Sequence, residues 1–129
     1  MSKLACRCGH IIVDQTDDLP YKAALLREQH EEVFFSDASL LANELLAAAS
    51  AGSVDELLER HYGSGGWRPR PTEFFGDKFT SIYLASISTV YECECCGRLW
   101  VQKKGVNSFV CFTPESGRYE SILSSQTPE

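Results

Sequence analysis

Cysteines followed closely by glycine are the residues of this sequence whose types and spacing fit metal chemistry. Cys93 and Cys96 are spaced C-x-x-C, and Gly97 follows them at once. Glycine lets the backbone turn tightly, so two sulfurs can converge on one ion, as in a zinc knuckle. A closed structural zinc site has four nitrogen or sulfur ligands, and one knuckle supplies two of them. The other ligands must come from another part of the chain.

A second cysteine pair near the start of the chain can supply the missing ligands. Cys6 and Cys8 are spaced C-x-C and also precede a glycine. With four sulfurs around it, the ion would have no open position for water or substrate, and its role would be structural. We therefore predict one Zn²⁺ per chain bound by four residues: Cys6, Cys8, Cys93 and Cys96.

Two further residues leave alternatives to this ligand set. His10 or Cys95 could replace one of the four sulfurs, because each lies next to a predicted half of the site. The remaining alternative is six reduced cysteines without a metal, since a free cysteine is often a small buried hydrophobe. That description fits Cys111 best, because it lies in an apolar run, and we assign it to the core.

The segments around the second motif have the composition of β-strands. Residues 89–91 and 99–101 are β-branched, aromatic or apolar, which places the knuckle at the tip of a β-hairpin. A turn at 103–105 then leads into a third strand over 108–112. Near the start of the chain, residues 10–13 predict a short strand.

Helical signals occupy the middle of the chain. A helix capped by Ser36 or Asp37 carries an apolar stripe with Leu41 and Leu45, and Gly52 can end it. A capping box at 53–56 then starts a second, shorter helix with Leu57 and Leu58 on its buried side. The two helices predict an αα-hairpin.

Two segments carry mixed signals. Residues 21–27 fit a strand or a helix, and we favour the strand. Residues 74–87 also fit a strand or a helix, and the serines and threonines of the later part favour a strand there. The predicted fold is α+β, a single domain over 1–129. A small antiparallel sheet carries the split zinc ribbon from 1–14 and 88–113, and the helical insert spans about 28–75.

Several short segments of this sequence resemble those of a loose group of small uncharacterised bacterial proteins. These segments are residues 6–12, 17–22, 91–93 and 96–99. The resemblance implies that an N-terminal C-x-C-G and a C-terminal C-x-x-C-G-R-L close a split zinc ribbon around a variable middle. It covers roughly the first 25 residues and the region 90–101, and Cys95 departs from its pattern. It implies no activity.

Composition narrows the classes of function. The chain has 129 residues and a formal net charge of −6, which disfavours binding to phosphate backbones. It shows neither a signal-peptide h-region nor a long apolar stretch, so we expect a cytoplasmic protein without a membrane span. Catalytic motifs such as G-x-S-x-G and H-E-x-x-H are also absent, and we do not expect an enzyme.

Binding of another protein is the function that these observations favour. Trp67 and Arg68 stand in a proline-stiffened segment and belong to residue types that dominate interface hot spots. The alternative for Trp67 is a place in the core. A small acidic protein without catalytic groups fits a toxin-neutralising immunity protein that binds a basic toxin or effector. The alternative function is a nucleic-acid or transcription-associated zinc ribbon, supported by basic residues beside the cysteines.

Overall fold

A computed structural model describes residues 2–126 of the chain. The protein has an α+β fold with three helices and two antiparallel sheets, which confirms the predicted class. The chain divides into two compact units. The sheet unit comprises the residues up to Leu25 and from Ser88 onward, and the helical unit spans Leu26–Ile87. The single domain expected over 1–129 stays a prediction.

The sheet unit contains both sheets. Strand β1 (Ser2–Ala5) pairs antiparallel with β2 (Ile11–Asp14), with Ala5 opposite Ile11 beside the connecting turn. The second sheet has the strand order β3-β4-β5-β6. Its strands are β3 (Lys22–Leu26), β4 (Ile87–Glu92), β5 (Leu99–Gln102) and β6 (Phe109–Phe112). The strand favoured for 21–27 and the third strand expected over 108–112 are therefore confirmed.

The core of the sheet unit is small and rich in sulfur. Its buried residues are Cys6, Ile12, Tyr91 and Cys93. Across the second sheet Tyr91 pairs with Trp100, and Trp100 pairs with Cys111. Cys111 itself is only half-buried, so its assignment to the core is wrong. The reason is its place on β6, a strand at the edge of the sheet where exposed and half-buried residues alternate.

The helical unit contains α1 (Glu28–Ala51), α2 (Val54–Tyr62) and α3 (Pro71–Ser86). Helix α1 ends as predicted at Gly52, whose φ of 69° is left-handed. It begins well before the predicted caps at Ser36 and Asp37, because its acidic first turn, with Glu28 and Glu31, already favours a helix start. The charged residues from position 28 onward are thus helical.

Helix α3 resolves the second ambiguous segment, and the predicted tilt of its later part towards β is wrong. Pro71 occupies the first turn, and Glu73 closes a capping box with Arg70. The hydroxyl of Ser86 donates to the carbonyl of Ile82 within the helix, so this serine does not interrupt it. The helical part of the chain therefore continues beyond the predicted end near residue 75.

The three helices pack around an apolar core of their own. Its buried residues are Leu41, Ala48, Leu57, Leu58 and Phe74. Leu57 and Leu58 are the residues that the capping box at 53–56 predicts to face inward. The predicted αα-hairpin of α1 and α2 is present, and α3 adds Phe74, which is completely buried. A core of large aliphatic and aromatic side chains forms without any metal.

Candidate metal centre

The first cysteine pair lies in the turn between β1 and β2. The N–H of Cys6 donates to the carbonyl of His10 over 2.9 Å, and the N–H of Gly9 donates to the carbonyl of Cys6 over 3.0 Å. Gly9 has a φ of 98°, a conformation that glycine adopts at little cost. The turn therefore places the side chains of Cys6 and Cys8 at one end of the β1–β2 hairpin.

The second pair lies in the turn between β4 and β5, and its hydrogen bonds follow the same pattern. The N–H of Cys93 donates to the carbonyl of Arg98 over 2.9 Å, and the N–H of Gly97 donates to the carbonyl of Cys93 over 2.8 Å. In both turns the N–H of the first cysteine donates a hydrogen bond to the carbonyl of the residue after the glycine. The C-x-C-G turn is thus a one-residue-shorter version of the C-x-x-C-G knuckle.

The two turns bring four sulfurs into one cluster. The Sγ atoms of Cys6 and Cys96 are 3.6 Å apart, and those of Cys8 and Cys93 are 3.5 Å apart. All four lie within 4.8 Å of one another. Zinc–sulfur bonds of about 2.3 Å in a tetrahedron place the sulfurs about 3.8 Å apart. The cluster fits a single metal ion such as Zn²⁺, and it joins the N-terminal and C-terminal parts of the sheet unit.

The alternative ligands lie outside this cluster. Within residues 2–126, the group of cysteine, histidine and carboxylate side chains close enough to share an ion contains neither His10 nor Cys95. Cys95 is exposed, although it is next to Cys96 in the chain. All six cysteines are free thiols. The split set of cysteines expected from the sequence and from the resemblance is therefore brought together in the fold.

Two cysteines of the cluster, Cys6 and Cys93, differ in the direction in which their pKa values are shifted. Burial opposes ionisation of Cys6, but hydrogen bonds from the Cys8 backbone, the Trp100 indole and neighbouring thiols outweigh it and lower the pKa of Cys6 to about 6. Burial raises the pKa of Cys93 to about 12, although backbone groups of the knuckle favour its thiolate. A metal ligand must be a thiolate, so a cation in the cluster would offset the cost of ionising Cys93.

Two residues beside the cysteines act on the sulfurs, and neither role was predicted from the sequence. Arg98 donates from Nη1 to the Sγ of Cys96 over 3.4 Å. The Nε1 of Trp100 is buried, and within residues 2–126 no acceptor meets it at regular hydrogen-bond geometry. The Trp100 ring packs against the core that contains Cys6, and the indole contributes to the lowered pKa of that thiol. Their positions after the knuckle were visible in the sequence, but their targets depend on the hairpin geometry.

The C-terminal segment lies against the knuckle, a contact that no sequence motif announces. A Cβ placed on Gly97 would lie 2.3 Å from the carbonyl oxygen of Arg118. Glu92 is only 1% exposed, and its carboxylate accepts a hydrogen bond of 3.4 Å from the N–H of Leu123. Gly97 is therefore required by its positive φ of 80° and by the close backbone beside it.

The predicted partner-binding residues lie in the helical unit. Trp67 is 73% exposed, and its ring meets Tyr62 edge-on with a centroid separation of 6.2 Å. The alternative that placed Trp67 in the core is therefore wrong. Arg68 is held against α2, where its Nη1 donates to the carbonyl of Asp55 over 3.3 Å and its Nη2 lies 3.7 Å from a carboxylate oxygen of Glu59. Partner binding through this pair stays a prediction.

A cavity of about 530 Å³ lies in the sheet unit, lined by residues of β1, β2, β4 and β5 and by the segment around Phe109. Two polar residues of the lining, Asp14 and Tyr91, are hydrogen-bonded to each other. The hydroxyl of Tyr91 donates to Asp14 over 2.5 Å, and the ammonium of Lys22 lies 2.7 Å from the same carboxylate. Burial, together with the hydrogen bond to Asp14, raises the pKa of Tyr91. The arrangement stabilises the contact between β2 and β4.

None of the helices described within residues 2–126 has the length and apolar character needed to cross a membrane. The search of curated proteins and the search of solved structures both found no match to this chain. Residues 2–116 match the model of a family described as Domain of unknown function (DUF8617). That match includes both cysteine pairs and all three helices, so the chain belongs to the DUF8617 family.

Proposed function

We propose that this protein is a non-enzymatic, cytoplasmic zinc protein that binds a protein partner. In this proposal one structural Zn²⁺ closes the sheet unit, and the helical unit supplies the recognition surface. The large apolar side chains exposed on α1 are the observation that carries the binding function. A toxin-neutralising immunity protein is the specific role that fits a small acidic binder of this kind.

The donor set supports zinc in a structural role. Four thiolates fill a tetrahedron and leave no open position, whereas catalytic zinc keeps one for water or substrate. Tetrahedral sulfur sites suit zinc or iron best among the common metals, and metal analysis of the purified protein separates the two. The bound ion would cross-link the two hairpin turns and offset the charge of the sulfurs. Six free cysteines also fit a reducing compartment.

Helix α1 shows why a partner is expected. Phe35, Leu40 and Leu46 are 59%, 63% and 65% exposed, although they share a helix with the buried Leu41 and Ala48. A surface helix in a globular protein normally keeps such residues on its buried stripe. Large apolar side chains outside that stripe are typical of surfaces that another molecule covers.

Charge indicates what kind of protein would cover α1. Residues 26–87 contain 10 Asp and Glu against 5 Lys and Arg, a difference of −5 out of the −6 carried by the whole chain. An acidic unit with exposed apolar side chains suits a partner that is itself basic and carries an apolar patch. The acidic charge would accelerate encounter with such a partner, and salt would weaken this steering. A toxin that engages nucleic acid is basic in this way.

The test captures the partner and then measures its affinity. The full chain is used as bait in its native host with a cross-linker, and cross-linked peptides are mapped. We expect a basic partner in stoichiometric amount, linked to α1. The double variant Leu40→Ser, Leu46→Ser should then weaken binding at least 10-fold, because hot-spot contacts each contribute about 2 kcal/mol or more. Val106→Ser is the matched control, since Val106 is 51% exposed but lies in the sheet unit.

The immunity role has its own test. If the reading frame beside this one encodes a growth-inhibiting basic protein, co-expression of this chain should restore growth, and the double variant on α1 should not. Binding that is equal for the wild type and the double variant would contradict recognition through α1. Turnover of a metabolite by the purified zinc-loaded protein would contradict the non-enzymatic proposal.

A nucleic-acid-binding ribbon is the second candidate, and one observation favours it. Lys103 and Lys104 are exposed at the turn between β5 and β6. Arg98, by contrast, donates to Cys96. At physiological salt we expect duplex DNA or RNA to bind with a dissociation constant of about 10⁻⁴ M or weaker, the usual non-specific range. Sub-micromolar binding with a steep salt dependence would support the second candidate instead.

A further inference from the structure

We infer that Trp100 and Arg98 are outer hydrogen-bond donors to the metal centre and set how tightly it holds its ion. In this inference the indole N–H of Trp100 donates to the Cys6 sulfur, and the guanidinium of Arg98 donates to the Cys96 sulfur. The inference rests on the zinc site proposed above and assigns a function to residues outside the ligand set.

Trp100 is placed on the sulfur cluster by its strand. It lies on β5 opposite Tyr91, and its ring packs against the core that contains Cys6 and Cys93. Its Nε1 is buried without an acceptor at regular geometry in residues 2–126, whereas a buried indole N–H normally has a partner. A buried donor left without a partner loses its hydrogen bonds to water and gains none in return, which is unfavourable. The Cys6 sulfur removes this cost, because as a metal-bound thiolate it is a charged acceptor.

Arg98 approaches the cluster from the end of the knuckle. Its Nη1 lies 3.4 Å from the Sγ of Cys96, and the side chain is half-buried. Within residues 2–126 no ion pair joins Arg98 to a carboxylate, so the sulfur is its anionic partner. A guanidinium is always charged, and a hydrogen bond from a charged donor to a thiolate is stronger than one between neutral groups.

Both donors act on the same edge of the cluster. Cys6 and Cys96 form one close pair, at 3.6 Å; Arg98 donates to Cys96, and the Trp100 ring packs against the core that contains Cys6. Four thiolates around Zn²⁺ carry a net charge of −2, and N–H donors spread part of it onto the protein. Partners of this kind around metal ligands typically contribute 10–100-fold to metal affinity.

The experiment compares the metal affinity of variants in the full chain. Trp100→Phe removes the N–H but keeps an aromatic ring, and Arg98→Met removes the charge but keeps the length of the side chain. Zinc affinity is measured by competition with a chromophoric chelator. We expect each variant to bind Zn²⁺ at least 10-fold more weakly than the wild type. Trp67→Phe is the matched control and should bind as the wild type does, since Trp67 lies in the helical unit.

A spectroscopic readout separates hydrogen bonding from a general loss of structure. With Co²⁺ in place of Zn²⁺, the sulfur-to-metal charge-transfer band reports the electron density on the thiolates. Removing a donor should move this band to lower energy in Trp100→Phe and in Arg98→Met, while the ligand-field bands stay tetrahedral. Arg98→Lys keeps a charged donor and should restore most of the affinity and of the band position.

The outcomes distinguish this inference from the zinc proposal on which it rests. Wild-type protein that takes up neither Zn²⁺ nor Co²⁺ overturns both. Wild-type protein that binds one ion, with both variants within twofold of its affinity and with unchanged bands, overturns the outer-donor inference alone. If Trp100→Phe does not fold, Arg98→Met still decides the question, because Arg98 is not part of the buried core.

Discussion

The buried cores of the two units differ in the kinds of side chain that they contain. The helical unit buries five apolar residues from three helices, among them the completely enclosed Leu57 and Phe74. The hydrophobic core cluster of the sheet unit has four buried residues, and two of these, Cys6 and Cys93, are thiols of the candidate metal centre. Apolar burial stabilises the helical unit, whereas half of the buried core cluster of the sheet unit consists of candidate metal ligands.

The difference teaches where metal dependence should be found. A metal ion stabilises the unit whose ligands it joins, because its binding free energy is folding free energy there. The helical unit contributes none of the four sulfurs. Removing metal should thus act on one unit only, and each unit can be followed separately, because Trp100 lies in the sheet unit and Trp67 in the helical unit.

The largest effect is expected from loss of the metal centre. Cys93→Ser, or treatment with a strong chelator, should lower the free energy of unfolding of the sheet unit by several kcal/mol. Helical circular dichroism should persist, and the fluorescence of Trp100, read in a Trp67→Phe background, should report the opened sheet unit. Cys95→Ser is the control and should change stability by less than about 0.5 kcal/mol, since Cys95 is exposed and outside the cluster. A Cys93→Ser protein that melts like the wild type would contradict the comparison.

Phe74→Ala should produce the reverse pattern. Phe74 is completely buried in the helical core, so its truncation should cost about 3–5 kcal/mol of stability. Helical circular dichroism should be lost at lower temperature, while the zinc content stays at one ion per chain. Phe35→Ala removes a ring that is 59% exposed and should leave the melting temperature of the isolated protein nearly unchanged. Loss of zinc from Phe74→Ala would show that the units do not respond separately.

Gly97→Ala probes the sheet unit without removing a ligand. The new Cβ would require a positive φ and would meet the Arg118 carbonyl, so we expect a loss on the order of 2 kcal/mol and weaker zinc binding. Gly9→Ala is the matched control in the other turn. Gly9 also has a positive φ but has open space around its Cβ position, so its cost should be smaller. Equal costs at both sites would show that the contact with the C-terminal segment contributes nothing.

The smallest effect is a dependence on pH that belongs to the helical unit. A hydrogen bond from the Arg70 side chain lowers the pKa of Glu73 from its ordinary value of 4.5, so the folded state binds this proton less readily than the unfolded state. Its contribution is complete above about pH 4.5 and is lost as the pH falls through the lowered value. Glu73→Gln should therefore be less stable than the wild type at pH 7 in chemical unfolding, and the difference should shrink as the pH falls below about 4.5. A constant difference would contradict the capping role.

The sequence was most informative where structure is local. The C-x-C-G and C-x-x-C-G motifs each specify a tight turn, and β-rich flanks make each turn a hairpin, so the four sulfurs could be assigned in advance. The inward face of α2 followed in the same way from its capping box. The end of α3 could not be predicted, because β-branched Thr80 and Ile82 favour β locally and are overruled by packing of the helix against the core. Trp100 and the contact at Gly97 were missed since both depend on residues distant in the chain.

The separation of the two cysteine turns along the chain has a consequence for biosynthesis. Cys6 must wait for a partner 90 positions later and Cys8 for one 85 positions later. The helical unit, which lies between them, is complete by Ile87, before Cys93 has been added. We expect it to fold first as the chain leaves the ribosome, since its contacts are local. Strands β3 and β4 are neighbours in the second sheet, so their pairing closes the long loop between them. Without this pairing, the metal centre alone would have to bring the two cysteine turns together. Until then the first pair of thiols is exposed to oxidants and competing metals, so assembly of the site should depend on the redox state of the cell during synthesis.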